Sequence, residues 1–217
     1  MKTKSEEQDV LLQAIKESRK KNLNYVSYDE TDTFTLNGMP VLSVLDFWRF
    51  CYGALAGQSP MIAEFLVAKA LGIEKAENVM VWTAYDMTYR NMRIEVKSTE
   101  FVHPWNEETI SKVRVFSIAP SYDSSWSNDE SKKLSRQNDI YVFCLNTNKE
   151  VQNPKPLILD FWEFYVVPTN VINQYTKENK NPDQKKISLS IIKKLSGKPV
   201  KWNKLKEKID EVIDIIL

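Results

Sequence analysis

The stretch DIYVFCLN (139–146) constrains the fold more than any other part of the chain. It is a continuous apolar run, without the alternation of a strand that faces water on one side. Such a run suits a strand buried on both faces, so the sheet that holds it must be covered above and below. FWEFYVVP (161–168) reads as another strand. The covering helices are legible too. SPMIAEFLVAKALG (59–72) has Ser59 as a cap, Pro60 at the first helical position and Gly72 at the stop. Its apolar side chains run nearly all the way round, interrupted by Glu64 and Lys69, which predicts a largely buried helix. SVLDFWRFCYGALAG (43–57) reads as a helix with Ser43 and Asp46 in capping-box spacing and aromatic residues for the core. Towards the C-terminus, TNVINQY with Thr169 as cap, ISLSIIKKL and the amphipathic WNKLKEKIDEVIDIIL read as further helices.

Strand signals fill the middle of the chain. NVMVWTAYD (78–86) and MRIEVKST (92–99) read as a hairpin closed by TYRN (88–91), and KVRVFSIAP (112–120) as a third strand. Residues 121–139 are polar, with a short helix in their second half. From 59 to 146 the order is therefore helix, strand, strand, strand, short helix, strand. This predicts an α/β (α+β) protein with a mixed central sheet flanked by helices and with extra N- and C-terminal helices. The expected organisation is one domain over 1–217. It has an N-terminal helical addition (1–58), a core (59–146), and a C-terminal strand with helices (147–217).

Bulk composition bounds the function. Lys and Arg number 30 against 29 Asp and Glu, for a net charge of +1, so no global basic excess announces nucleic-acid binding. The charge is uneven, with 11 lysines against 6 acids from Thr176 onward. Such an end can track phosphates or simply solvate helix faces. No apolar run approaches the ~18 residues of a membrane span, and the first 22 residues are too charged for a secretory signal. Two cysteines in apolar settings, Cys51 and Cys144, suit a reducing compartment. These features predict a cytoplasmic protein with no membrane partner.

The chemistry concentrates in RIEVKST (93–99). Side chains two apart share one strand face, which puts Arg93, Glu95, Lys97 and Thr99 on one side and Ile94 and Val96 on the other. The hairpin brings Asp86 close to Glu95, and two carboxylates at close range repel unless a proton or a cation sits between them. Hard oxygen ligands suit Mg²⁺, with Mn²⁺ as an alternative. Glu64 lies beside Val67, Ala68 and Leu71 on its helix, so its carboxylate needs a partner from elsewhere in the fold. It is placed to be the third acid. Lys97 then stabilises charge on a phosphoryl transition state or orients the attacking water. The same pair read alone is a cross-strand ion pair.

Together these residues resemble the PD-(D/E)XK nuclease superfamily, the restriction-endonuclease-like fold, whose αβββαβ core order is the one read above. Asp86 matches the motif's aspartate, with Tyr85 in place of the usual proline, and Glu95 and Lys97 match its (D/E)-x-K pair. Glu64 matches the acid that some branches carry on the first core helix. A closer resemblance, over roughly 43–170, is to a family of uncharacterised bacterial proteins regarded as PD-(D/E)XK-like. It is carried by DFWRFCYGAL, IAEFLVAKALG, W-x₂-YD, RIEVKST, DIYVFCL and DFWEFYVVP. That family has a glutamine and a tryptophan shortly after the lysine. Here His103 stands in place of the glutamine, and Trp105 is kept.

The resemblance implies an Mg²⁺-dependent nuclease acting on DNA, with Glu64, Asp86 and Glu95 holding the metal and with a homodimer among the expected assemblies. His103, Trp105 and Arg136 are candidate substrate contacts, although each also suits a bland role in its loop or helix. The alternative is a catalytically silent module of the same fold that binds nucleic acid or a partner. Nothing in the residues points to restriction, defence or repair in particular.

Overall fold

The computed structural model describes residues 29–52, 59–73, 85–102, 114–121, 134–150 and 155–217. The chain divides into two compact units, Met1–Ala54 and Leu55–Leu217. In the first, β1 (Thr33–Leu36) and β2 (Met39–Ser43) form an antiparallel hairpin, and α1 (Val44–Tyr52) follows. The hairpin turns on Asn37 and Gly38, both at positive φ, the Asn-Gly chemistry that a two-residue turn demands. Ser43 caps α1 as the sequence predicts. Its Oγ accepts the Asp46 N–H at 3.0 Å and donates to the Asp46 carboxylate at 2.6 Å. Phe47 meets Phe34 edge-on, whereas Phe50 is exposed, so only part of the aromatic face of α1 is packed as expected.

The second unit is built on a four-stranded sheet in the order β3-β4-β6-β7. β3 (Met87–Tyr89) pairs antiparallel with β4 (Met92–Glu100), β4 pairs parallel with β6 (Ile140–Asn146), and β6 pairs antiparallel with β7 (Trp162–Pro168). Every residue of β6 is buried, as its continuous apolar run requires. On one face Ile94, Val96, Ile140, Val142, Trp162, Phe164 and Val166 pack against two helices, α2 (Ser59–Leu71) and the C-terminal α5 (Trp202–Ile216). The spacing of Leu205, Ile209, Val212 and Ile213 makes the stripe by which α5 docks, and the Trp202 indole donates to the Leu66 carbonyl at 2.8 Å.

On the other face Tyr141, Phe143, Leu145, Tyr165 and Val167 meet Phe116, Ile118, Ile172, Ile187 and Ile192. These come from β5 (Val115–Ser117) and Ile118 just after it, α3 (Thr169–Glu178), β8 (Lys186–Ser188) and α4 (Leu189–Ser196). Phe143 is fully buried between stacked Tyr141 and edge-on Phe116. Phe143→Ala should therefore lower stability by about 3–5 kcal/mol. The check is a lower urea midpoint at unchanged m-value. The architecture is α+β with mixed sheets. No helix among the described residues is long and apolar enough to cross a membrane.

Four local expectations shift. β5 does not enter the central sheet but pairs antiparallel with β8. Only Phe116 of its three residues is buried, so it can join a two-stranded strip that covers the sheet face. ISLSIIKKL, read as helix, gives β8 first and a helix only from Leu189, because its first residues supply that strip. α2 buries Ala63, Leu66, Val67 and Leu71 but leaves Met61 and Phe65 exposed, with the Lys69 ammonium 5.9 Å from the Phe65 ring centre. It ends as predicted. Gly72 at φ +76° allows the paired bonds from Gly72 to Lys69 and from Ile73 to Ala68.

The fourth is the hairpin, which turns at Arg90 and Asn91 (φ 48° and 64°), so pairing begins at Met87 rather than ending at Asp86. Most of the predicted strand 78–86, and 122–133 with most of the short helix expected in the polar stretch, lie outside the described residues.

Candidate metal centre and active site

The hairpin places Asp86. Its two-residue turn puts a non-glycine side chain, Arg90, at positive φ, and that side chain anchors the tip to α5. The Arg90 guanidinium reaches Asp210 at 3.1 Å and Asp214 at 2.8 Å. The Tyr89 hydroxyl donates to Asp210 at 3.1 Å, and Lys206 bonds the second Asp210 oxygen at 2.7 Å. Near the start of the hairpin's long strand, Arg93 grips Asp139 through Nε at 3.0 Å and Nη2 at 2.8 Å. This fork holds the Asp139 carboxyl below its ordinary pKa and aligns the starts of β4 and β6.

β3 pairs with β4 only from Met92 to Ile94, so the N–H of Val96 has no strand opposite it. The Asp86 carboxylate takes that place, accepting the Val96 N–H at 2.6 Å, while the Asp86 N–H donates to the Ile94 carbonyl at 3.0 Å. Asp86 is thus fixed where the sheet edge opens, level with Glu95. On β4 itself Ile94 and Val96 are buried on the helix face, and Glu95 and Lys97 alternate to the other side as the period of two demands. Lys97 forms an ion pair with Glu95. Glu64, on α2, lies near enough to feel the charges of Asp86, Lys97 and Glu95.

The electrostatics couple all four groups. Glu64 is pushed up to about 7, first by burial, then by the negative charges of Asp86 and Glu95, with Lys97 opposing. Glu95 is raised by burial and by Asp86, again opposed by Lys97. Asp86 is raised by burial, against the Val96 hydrogen bond and the Lys97 charge. Three acids and one lysine therefore interact in a partly buried region, where Asp86 and Glu95 disfavour the ionised form of Glu64 and Asp86 disfavours that of Glu95. Their hard oxygens and surplus negative charge match what a divalent cation takes. As the side chains stand, no three His, Cys, Asp or Glu groups among the described residues are arranged to hold a metal ion together. The Asp86 Oδ2 and the Glu95 Oε1 are engaged by the Val96 N–H and the Lys97 ammonium.

The other sequence candidates go elsewhere. His103 and Trp105 lie outside the described residues. Arg136 spends its guanidinium on the fold. Nε donates to the Ile118 carbonyl at 2.8 Å, Nη1 to Asn173 Oδ1 at 2.8 Å and the Pro182 carbonyl at 3.3 Å, and Nη2 to the Gln184 carbonyl at 2.9 Å. Arg136→Gln should therefore cost about 2–4 kcal/mol of stability by stranding those acceptors. A lower urea midpoint at unchanged m-value checks it.

Tyr141 is a neighbour that sequence reading missed. It stands beside Glu95 in the parallel pairing, and burial, then the Glu95 charge, raise its phenol against the Arg136 charge. Its polar tip is easy to overlook inside an apolar run. No family model matches the chain, and a search of curated proteins found no match.

Proposed function

We propose that this protein is a metal-dependent nuclease of the PD-(D/E)XK type that hydrolyses phosphodiester bonds in DNA. The observation that carries it is the electrostatic coupling of Glu64 on a helix to Asp86 at the hairpin and to Glu95 and Lys97 on one strand, all partly buried. A purely structural ion pair needs only Glu95 and Lys97. It leaves unexplained two further acids, both raised by burial, with Glu64 raised further by the charge of Asp86.

The restriction-endonuclease-like reading of the core draws on the order α2, β3, β4, β5, β6, with the acid and lysine on β4 beside the hairpin aspartate. The pairing of β5 with β8 is a departure from that core. Glu64, Asp86 and Glu95 would hold Mg²⁺, which when bound supplies a water of lowered pKa and neutralises charge on the phosphoryl group. Asp86 is held ready by the Val96 N–H, so its position does not depend on a ligand. Glu64 is poised to release its proton near neutral pH as positive charge arrives. Lys97, freed from Glu95, would then turn its ammonium to the phosphoryl oxygens or the attacking water.

A second reading is a catalytically silent module of the same kind that binds nucleic acid or a partner. It is favoured by the closed Glu95–Lys97 pair and by the absence of a preformed metal cluster among the described residues. Incubating plasmid, linear duplex, branched and single-stranded DNA with Mg²⁺ or Mn²⁺ separates the two. The nuclease gives nicked or shortened products that disappear in Lys97→Ala and Asp86→Asn. Cleavage that persists in both variants removes the site assignment, and no cleavage together with no metal binding supports the silent module.

A further inference from the structure

Strand β4 carries a second charged feature beyond Lys97. Alternation puts Phe101, just past its end, on the same face as Glu95, Lys97 and Thr99, and Phe101 packs against the cluster that holds Tyr141 and Phe143. Two cations converge on its ring. The Arg114 guanidinium carbon stands 3.5 Å from the ring centre, and the Lys149 ammonium stands 5.6 Å from it. Arg114 leads into β5, and its carbonyl accepts the Leu189 N–H at 3.0 Å, so its backbone is fixed. Lys149 follows β6.

Neither cation has a carboxylate partner among the described residues. The acid next to Lys149, Glu150, is taken by Lys155 at 2.6 Å. Arg114 Nε is the buried side-chain polar atom left without any hydrogen-bond partner in the described structure. Burying a guanidinium nitrogen unpaired is costly, and so is gathering two like charges on one ring with no acid between them. Stacking on an aromatic face recovers part of that cost and holds the planar fork in one orientation. Among the described residues the pair is left without an acid, an arrangement that suits an anion.

The position says which anion. Four residues of strand separate Lys97 from Phe101, roughly 13 Å at 3.3 Å per residue. A nucleic-acid strand covers that span in a few nucleotides. Lys97, Thr99 and Phe101 are all partly exposed along the way.

We propose that Arg114 and Lys149, gathered on Phe101, form a phosphate-binding subsite. It takes the DNA backbone a few nucleotides from the bond at Lys97, and so rests on the nuclease reading above. The subsite fixes where the strand lies and carries no base information, because it contacts phosphate alone.

The test is fluorescence anisotropy of a labelled DNA duplex with the full chain in EDTA, titrated over a range of salt. Lys149→Gln and Arg114→Gln should each weaken binding several-fold at physiological salt. Each should also make log K against log salt shallower by about 0.9, the mark of one lost phosphate contact. Arg114→Lys, which keeps the charge and loses the flat stacking, should retain the wild-type slope. Lys204→Gln, on the outer face of α5 and paired with Glu207 at 2.7 Å, should change nothing.

Wild-type affinity and slope in both glutamine variants overturn the subsite even if the protein cleaves DNA, as does a wild type that binds no DNA. A wild type that binds without cleaving, and whose variants lose slope, supports the subsite and removes the nuclease. Lys149 is exposed, so Lys149→Gln keeps the test open if Arg114→Gln fails to fold.

Discussion

Lys97→Ala should reduce DNA cleavage by about 10²–10³-fold while duplex binding in EDTA falls only several-fold. Lys97 is the cation that opposes the raised pKa values of Glu64, Asp86 and Glu95 alike. Its ammonium is already inside the site, so no rearrangement of the chain is needed for it to face a phosphoryl oxygen. A group that acts only as charge develops lowers kcat rather than raising KM, and the kinetics should divide that way. Lys97→Arg should restore little, since a planar fork cannot take the place of a compact ammonium between carboxylates. The alanine variant must be shown to be folded, because it leaves Glu95, 15% exposed in its side chain, without its partner. A circular dichroism melt answers that.

Glu64→Gln should make the protein more stable at pH 8 and less active at every pH. The folded carboxyl holds its proton up to about 7, whereas the unfolded one loses it near 4.5. Between those values the unfolded state binds fewer protons, so the wild-type protein loses stability as pH rises. Above pH 7 the loss is complete and is on the order of 2 kcal/mol after allowance for partial exposure. Glutamine keeps the shape and cannot ionise, so its stability should stay flat over the window and exceed wild type above it. Below pH 4.5 the two should coincide. A carboxylate held in a structural ion pair would give the opposite sign, with the glutamine variant less stable at pH 8. On the proposed metal site, Mg²⁺ should close the gap by stabilising wild type alone, by RT ln(1 + [Mg²⁺]/Kd). Urea melts at four pH values, with and without Mg²⁺, check both parts.

The fold and the site were legible in the sequence to different depths. β6, β7, α2 and α5 could be read because each is dictated by its own pattern, an unbroken apolar run or an amphipathic stripe. That Asp86 comes close to Glu95 was legible in the hairpin pattern, but standing level with it depends on the turn at Arg90 and Asn91. β5 could not be assigned to a sheet, because three residues with one buried side chain carry no partner information; its place is set by β8, some 70 residues away. The hairpin turn was misplaced because its two positive-φ residues include an arginine, whose cost is offset by Asp210 and Asp214 on α5. Arg136 is visible in sequence only as a charge in a polar segment, and the acceptors it serves come from three separate stretches. Arg114 and Lys149 share a ring only after β4, β5 and β6 are assembled.

Calorimetric titration of Mn²⁺ into wild type and Asp86→Asn at pH 6.5 tests the shared carboxylate site most directly. Asparagine retains an acceptor for the Val96 N–H, so the hairpin is kept and only the charge is removed. The expected result is saturable binding by wild type with proton release from Glu64, and affinity at least about tenfold weaker in the variant, a difference of 1.4 kcal/mol. Equal affinity in the two proteins, or no binding by wild type, would contradict a metal centre at Glu64, Asp86 and Glu95.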